Sequence, residues 1–178
     1  MKIEVIDNFL NSYYADTYEK FFGVDAGSFP WFYQDNLNGV SYIGNYYFNH
    51  TLIDASKPSR FADEYFFVFA PLLSKLNLTT KNNTQYNLQR LWRLKMNLYP
   101  RTNRRVHHQS HIDYYHSEGL TTCLYYVNDN NGFTIFDRKR KIKSKKNRAI
   151  LFDGSNKHHS TTPTDCNYRV SINIDYTP

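Results

Sequence analysis

The stretch "LQRLWRLKMNLYP", residues 88–100, alternates with a period of two: Leu88, Trp92, Leu94, Met96 and Leu98 fall on one face, Arg93, Lys95, Asn97 and Tyr99 on the other. A helix would scatter these two sets around its axis, so the stretch reads as a strand with one apolar and one polar face. Downstream the strand signal returns at 119–127, 132–136, 148–152 and 167–176, and the intervening "NDNNG" (128–132) and "DGSN" (153–156) are turn chemistry. Short strands in that succession build an antiparallel sandwich or barrel.

Upstream the pattern is mixed. Residues 2–6 read as a short strand, and 11–23 as a helix with Tyr14, Tyr18, Phe21 and Phe22 at helical spacing and Gly23 placed to cap it. A second helix is expected from Ser59 to Leu76, with Phe61, Tyr65, Val68, Leu72, Leu73 and Leu76 along one stripe. The expected class is α+β, mainly β with packing helices at the N-terminal side. No repeat or Pro/Gly-rich linker divides the 178 residues, which suits a single domain over 1–178.

Composition removes several function classes. Cys123 and Cys166 are too few for a disulfide framework or a zinc finger, and neither opens a helix that would activate a thiolate, so both read as reduced thiols. The N-terminus has neither the cationic start nor the apolar run of a signal peptide, and no apolar run approaches a membrane span. A cytoplasmic protein without a membrane partner is expected. The net charge of +6 is local: "RKRKIKSKKNR" (138–148) holds eight basic residues and no acidic one, so the rest of the chain is slightly acidic. That segment is either a solvated hairpin tip or a surface for nucleic acid or another acidic partner.

The chemistry concentrates in "HHQSHIDYYH" (107–116), which holds four of the seven histidines. In an extended chain His111 and Asp113 face the same side, giving two of the three ligands of a facial triad for Fe(II). The third would come from His158 or His159, the histidines that follow residue 116. Beyond them Arg169 and Ser171, two apart on a strand, can hold a carboxylate through a guanidinium fork and a hydroxyl. Such a pair suits one end of a dicarboxylate whose other end chelates the metal.

In this order of elements the sequence resembles the Fe(II)/2-oxoglutarate-dependent oxygenases, and more narrowly the small prolyl-4-hydroxylase-like oxygenases of marine phage and bacterial genomes. The matching stretches are "FPWFYQD" (29–35), "RLKMNLYPRT" (93–102), "HIDYY" (111–115), "TTCLYYVNDNNGFTIF" (121–136), "AILFDGSNKHHSTTPTD" (149–165) and "YRVSINIDY" (168–176). The resemblance implies a double-stranded β-helix, or jelly-roll, core that uses Fe(II), 2-oxoglutarate and molecular oxygen. It assigns iron to His111, Asp113 and a distal histidine. Related sequences place that ligand six residues after a Phe and eleven before an Arg, which favours His158 over His159. Arg169, with Ser171, would hold the distal carboxylate of 2-oxoglutarate, and Asn97, Tyr99 and Tyr125 would line the co-substrate pocket. His107, His108 and His116 would be loop residues at the mouth of the site.

The implied reaction is hydroxylation of a C–H bond, of a peptidyl or protein side chain and possibly of proline, with release of succinate and CO2. If the gene is a phage's, the location would be the host cytoplasm. Two other readings suit the same residues: a nucleic-acid-modifying 2-oxoglutarate oxygenase, and a non-catalytic jelly-roll binding module with a basic hairpin.

Overall fold

The structure, a computed structural model, describes residues 3–23, 29–35, 46–55, 64–78, 90–113, 119–136 and 140–178. Its elements in chain order are β1 (Ile3–Asp7), α1 (Ser12–Phe22), β2 (Phe32–Gln34), β3 (Tyr47–Asp54), a 3₁₀ turn (Phe66–Phe69), α2 (Ala70–Leu78), β4 (Arg90–Pro100), β5 (Thr121–Tyr126), β6 (Phe133–Phe136), β7 (Arg140–Lys143), β8 (Arg148–Asp153), β9 (His158–Ser160) and β10 (Tyr168–Thr177). The strands form a seven-stranded sheet, β1-β8-β5-β10-β4-β3-β2, and a three-stranded sheet, β7-β6-β9. Isolated antiparallel bridges His107↔Thr161 and His111↔His158 lengthen the smaller sheet on the β9 side.

Within the alternating stretch 88–100, Arg90–Pro100 form strand β4, and residues 88–89 lie outside the described part. Its even members Leu94, Met96 and Leu98 join Val170, Ile172 and Ile174 of β10 and Cys123 and Tyr125 of β5 in the larger core. Tyr18, Phe22, Phe69, Leu72 and Leu76 from the helices and the 3₁₀ turn cover that face of the large sheet. Between the sheets lies a smaller apolar cluster of Ile3, Leu124, Tyr126, Phe136, Ile142, Ile150 and Phe152. The remainder of the inter-sheet space is polar. The expected jelly-roll sandwich with packing helices is thus the architecture found.

The helices differ in detail from expectation. In α1 the Asn11 side chain caps the start by accepting from the Tyr13 N–H, and Ala15, Tyr18 and Phe22 form the buried stripe. Gly23 ends the helix in an extended conformation, φ −66°, not in the left-handed one. What requires glycine there is space: a Cβ would lie 2.8 Å from the Tyr168 hydroxyl and 2.9 Å from the Glu19 carbonyl. The second helix begins later than its apolar stripe suggests. Residues 66–69 wind as a 3₁₀ turn, and α2 starts at Ala70 with Pro71 in its first turn, where its missing N–H breaks no hydrogen bond. Residues 59–63 of the expected helix lie outside the described part.

The basic segment corrects both sequence readings for its C-terminal half. Ile142, Ser144 and Asn147 are buried, and the charges beside them are paired within the chain. Lys145 and Arg148 bind Asp7 of β1 at 2.9 and 2.6 Å, while Lys146 pairs with Asp16 of α1 at 2.6 Å and also with Glu19. The Asn147 side chain donates to the Leu10 carbonyl and accepts from the Leu10 N–H, both at 2.8 Å. Residues 145–148 therefore fasten the N-terminal strand and helix to β8. Arg140, Lys141 and Lys143 remain exposed. No helix among the described residues is long and apolar enough to cross a membrane.

Hydrogen bonds from Arg148 and then Lys145 pull the Asp7 carboxyl down to about 2. A depressed carboxyl stabilises the fold above its unfolded value of 3.8, and that contribution disappears as pH falls from there toward 2. Asp7→Asn should therefore melt below the wild type at pH 7, and the gap should close as acid is added. Paired thermal melts from pH 7 to pH 3 check this.

Candidate active site

The site is built on the polar faces of two strands paired in register. β4 and β10 oppose Tyr99 to Arg169, Asn97 to Ser171, Lys95 to Asn173 and Arg93 to Asp175. Because side chains alternate across a strand, all eight point away from the helix-covered core. Most of them line a cavity of about 110 Å³ together with Tyr47, His111, Asp113, Thr134, His158 and Ser160.

At one end of this wall His111, Asp113 and His158 bring their ligand atoms within 4.8 Å of one another. The bridge between His111 and His158, with N–H···O distances of 2.9 Å in both directions, joins the two histidine backbones directly. Each imidazole is then oriented by its own turn: Nδ1 of His111 meets the Gln109 carbonyl at 3.1 Å and Nδ1 of His158 the Asn156 carbonyl at 2.9 Å. A carbonyl can only accept, so Nδ1 carries the proton in both rings and Nε2 presents a lone pair. Those Nε2 atoms lie 3.7 Å and 3.4 Å from the two Asp113 oxygens.

Asp113 is set by a buried charge network. Its Oδ1 accepts from Arg93 at 2.7 Å, and Arg93 Nε donates to Asp175 at 2.6 Å, whose other oxygen accepts from Thr122 at 2.7 Å. Burial works against ionisation of Asp113, but the Arg93 guanidinium overrides it and holds the carboxyl well below the usual range. For Asp175 burial prevails over Arg93 and pushes it up to about 6. Burial likewise lowers His111, keeping it neutral. Asp113 Oδ2 is buried without a hydrogen-bond partner among the described residues. Two imidazole lone pairs and a carboxylate oxygen thus converge with no proton between them, a donor set that fits a divalent transition metal.

At the other end Arg169 is fully buried, with its guanidinium 5.4 Å and 5.5 Å from the ring centres of Tyr99 and Tyr126. It donates to Ser144 Oγ at 2.7 Å, the Thr161 carbonyl at 3.1 Å and Thr134 Oγ1 at 3.0 Å. All three acceptors are neutral, and among the described residues no carboxylate pairs with it. These three bonds leave part of its five-donor fork for a further acceptor, so the buried cation can take a carboxylate from the cavity.

The structure brings together His111, Asp113, His158, Arg169, Ser171, Asn97 and Tyr99, but not Tyr125. That ring points to the opposite face of β5, packs on Tyr18 at 6.0 Å in the larger core and donates to Asn147 at 3.2 Å. The next residue, Tyr126, takes the site face and donates to Thr134 at 2.8 Å. His159 also faces away from the cluster, toward His107, with their ring nitrogens 3.4 Å apart. His108 is no mouth residue: it is buried, stacks on Tyr99 at 4.9 Å and bonds Ser160 at 2.7 Å, and burial takes its pKa down to about 3. His116 lies outside the described residues. Arg93, Lys95, Asp175, Tyr47 and Tyr126 belong to no motif, although the alternation of β4 marks Arg93 and Lys95 as site-facing.

Residues 94–176 match the family model described as the 2OG-Fe(II) oxygenase superfamily. No curated protein matches the chain in sequence. Among solved structures, a prolyl-4-hydroxylase from Pseudomonas putida superposes with a TM-score of 0.59 at 12% identity, over 99% of this chain and 92% of that one. A prolyl hydroxylase from Trichoplax adhaerens, in complex with a peptide fragment of the hypoxia inducible factor oxygen degradation domain, gives 0.58 at 18% identity over 98% and 83%. HygX from Streptomyces hygroscopicus, with nickel and 2-oxoglutarate bound, gives 0.61 at 10% identity over 99% and 82%. At these identities the superpositions establish a shared fold.

Arg169 reaches its position across Gly132, where a Cβ would lie 2.8 Å from Arg169 Cδ and 3.2 Å from the Thr161 carbonyl. Gly132→Ala should overpack this junction and cost roughly 1–3 kcal/mol in urea unfolding.

Proposed function

We propose that the protein, whose residues 94–176 match the family model of the 2OG-Fe(II) oxygenase superfamily, acts as an Fe(II)- and 2-oxoglutarate-dependent oxygenase that hydroxylates a peptidyl or protein side chain, with proline a candidate. The observation that carries the assignment of roles is the pairing of two incomplete sites in one cavity. One is a cluster of three converging acceptors, His111, Asp113 and His158; the other is a buried guanidinium, Arg169, without a carboxylate partner among the described residues. A cation completes the first and an anion the second.

On this reading His111 Nε2, Asp113 Oδ2 and His158 Nε2 hold the iron, and Arg93 fixes Asp113 so that one oxygen stays directed at the metal. Bound iron supplies oxygen activation coupled to decarboxylation of 2-oxoglutarate to succinate and CO2. The chain's own part is placement. Arg169 takes the distal carboxylate, Ser171 and Asn97 face its path, and Tyr99 and Tyr126 bracket the guanidinium and shield it from water. Asp113 is a ligand and not a general base, since Arg93 foremost keeps it ionised against its burial.

A peptide substrate is supported by two observations. The Trichoplax adhaerens relative was solved with a peptide bound. In this chain Phe32 and Tyr33 of β2 are 54% and 59% exposed, beside strand β3, whose Tyr47 lines the cavity. Exposed aromatic rings near a site offer contacts to extended, proline-containing segments.

Anaerobic titration with Fe(II) and then 2-oxoglutarate should give the saturable visible charge-transfer band of a chelated oxo acid. Asp113→Ala should lose iron binding without unfolding, and an unchanged iron affinity would refute the triad. Arg169→Ala should keep the iron and weaken 2-oxoglutarate by about 10–100-fold, the loss expected of a charge-assisted pair. Succinate formation stimulated by proline-containing peptides then tests the substrate class.

A further inference from the structure

The cavity wall carries a third cation that neither the metal cluster nor the Arg169 subsite uses. Three cationic side chains line this space: Arg93, Lys95 and Arg169. Arg93 is committed to Asp113 and Asp175. Lys95 has no carboxylate partner among the described residues. Its ammonium lies 3.2 Å from the Tyr47 hydroxyl and 5.2 Å from the centre of that ring, both neutral.

Its position follows from the strand register. On β4 Lys95 stands one site-facing residue beyond Arg93, which grips Asp113, and two before Tyr99, which underlies Arg169. Tyr47 stacks on Tyr99 at 5.8 Å, and its hydroxyl also receives Asn49 at 3.4 Å, so the lysine is held against a residue of the cavity lining. The His–Asp–His cluster and Arg169 line the same cavity, so a ligand that spans them shares its space with this ammonium. Among the described residues Arg169 and Lys95 are the two cations of the lining without a carboxylate, and a dicarboxylate brings two.

We propose that Lys95 is a second cationic anchor for the co-substrate, pairing with the carboxylate next to the 2-oxo group while Arg169 takes the distal one. The inference rests on the 2-oxoglutarate reading of the site. It makes Lys95 a residue that orients the chelating end of the oxo acid, and it separates the two ends of the ligand by residue: Lys95 reads what every 2-oxo acid shares, Arg169 reads the second carboxylate.

The test uses Fe(II)-loaded protein under anaerobic conditions, with 2-oxoglutarate and pyruvate as probes, because pyruvate lacks the distal carboxylate. Lys95→Met should raise the Kd of both by a similar factor, about tenfold or more. The charge-transfer band should also move to shorter wavelength, because the acceptor orbital on the oxo acid loses a neighbouring positive charge. Lys95→Arg should restore both properties, and Arg169→Ala should weaken 2-oxoglutarate alone. Unaltered affinity and band position in Lys95→Met, with iron binding intact, would overturn the proposal and leave the ammonium to the substrate. Weakening confined to 2-oxoglutarate would overturn it too, by moving Lys95 to the distal carboxylate. Absence of any band in the wild type would instead defeat the oxygenase assignment of these residues, which keeps the two failures distinct.

Discussion

The antiparallel register of β4 on β10 is the constraint on which the site depends. Leu94, Met96 and Leu98 with Val170, Ile172 and Ile174 bury one face under the helices, and this apolar face specifies the pairing. The polar faces are carried along by the period of two. Slipping either strand by one residue would put Arg93, Lys95 and Arg169 under α1 and α2 and turn leucines into the cavity. The hydrophobic core therefore aligns the polar wall of the cavity.

Within that wall one guanidinium does unequal service to two carboxylates. Arg93 holds Asp113 ionised beside two imidazoles, while Asp175, equally buried, is left with an elevated pKa and a threonine hydroxyl. The difference suits their places. Asp113 keeps a bare oxygen beside the two imidazoles, where the proposed iron would sit, and Asp175 with Thr122 keeps the arginine from swinging away. Orientation of this kind reaches the reacting centre through a partner's partner.

Much of the fold could be read in the sequence because β4 alternates over eleven residues, while β5, β8 and β10 carry apolar runs bounded by turn chemistry. Strands β2, β3, β7 and β9 give no such signal, since their three to eight residues are of mixed character. For the site, H-x-D, the distal histidine and R-x-S were visible because their spacing is itself the geometry of extended chain. Tyr125 was misassigned by one residue in a Tyr-Tyr pair: two tyrosines offer no polarity difference to tell faces apart, and only the strand's pairing with β8 and β10 does so. The ion pairs of residues 145–148 with Asp7, Asp16 and Glu19 join positions more than 120 apart in the chain, beyond any local pattern. His108 was hidden for the same reason, its partners Tyr99 and Ser160 coming from two other strands.

A guanidinium sealed among neutral acceptors is an electrostatic debt left in the folded chain, and Arg169 is such a group. Whatever anion settles it binds the native state and not the unfolded one; with 2-oxoglutarate as proposed, folding and co-substrate occupancy become linked equilibria. The protein's resistance to unfolding would then rise and fall with the supply of the oxo acid. A residue proposed to hold a metabolite would thereby also let the chain's lifetime report how much of that metabolite there is.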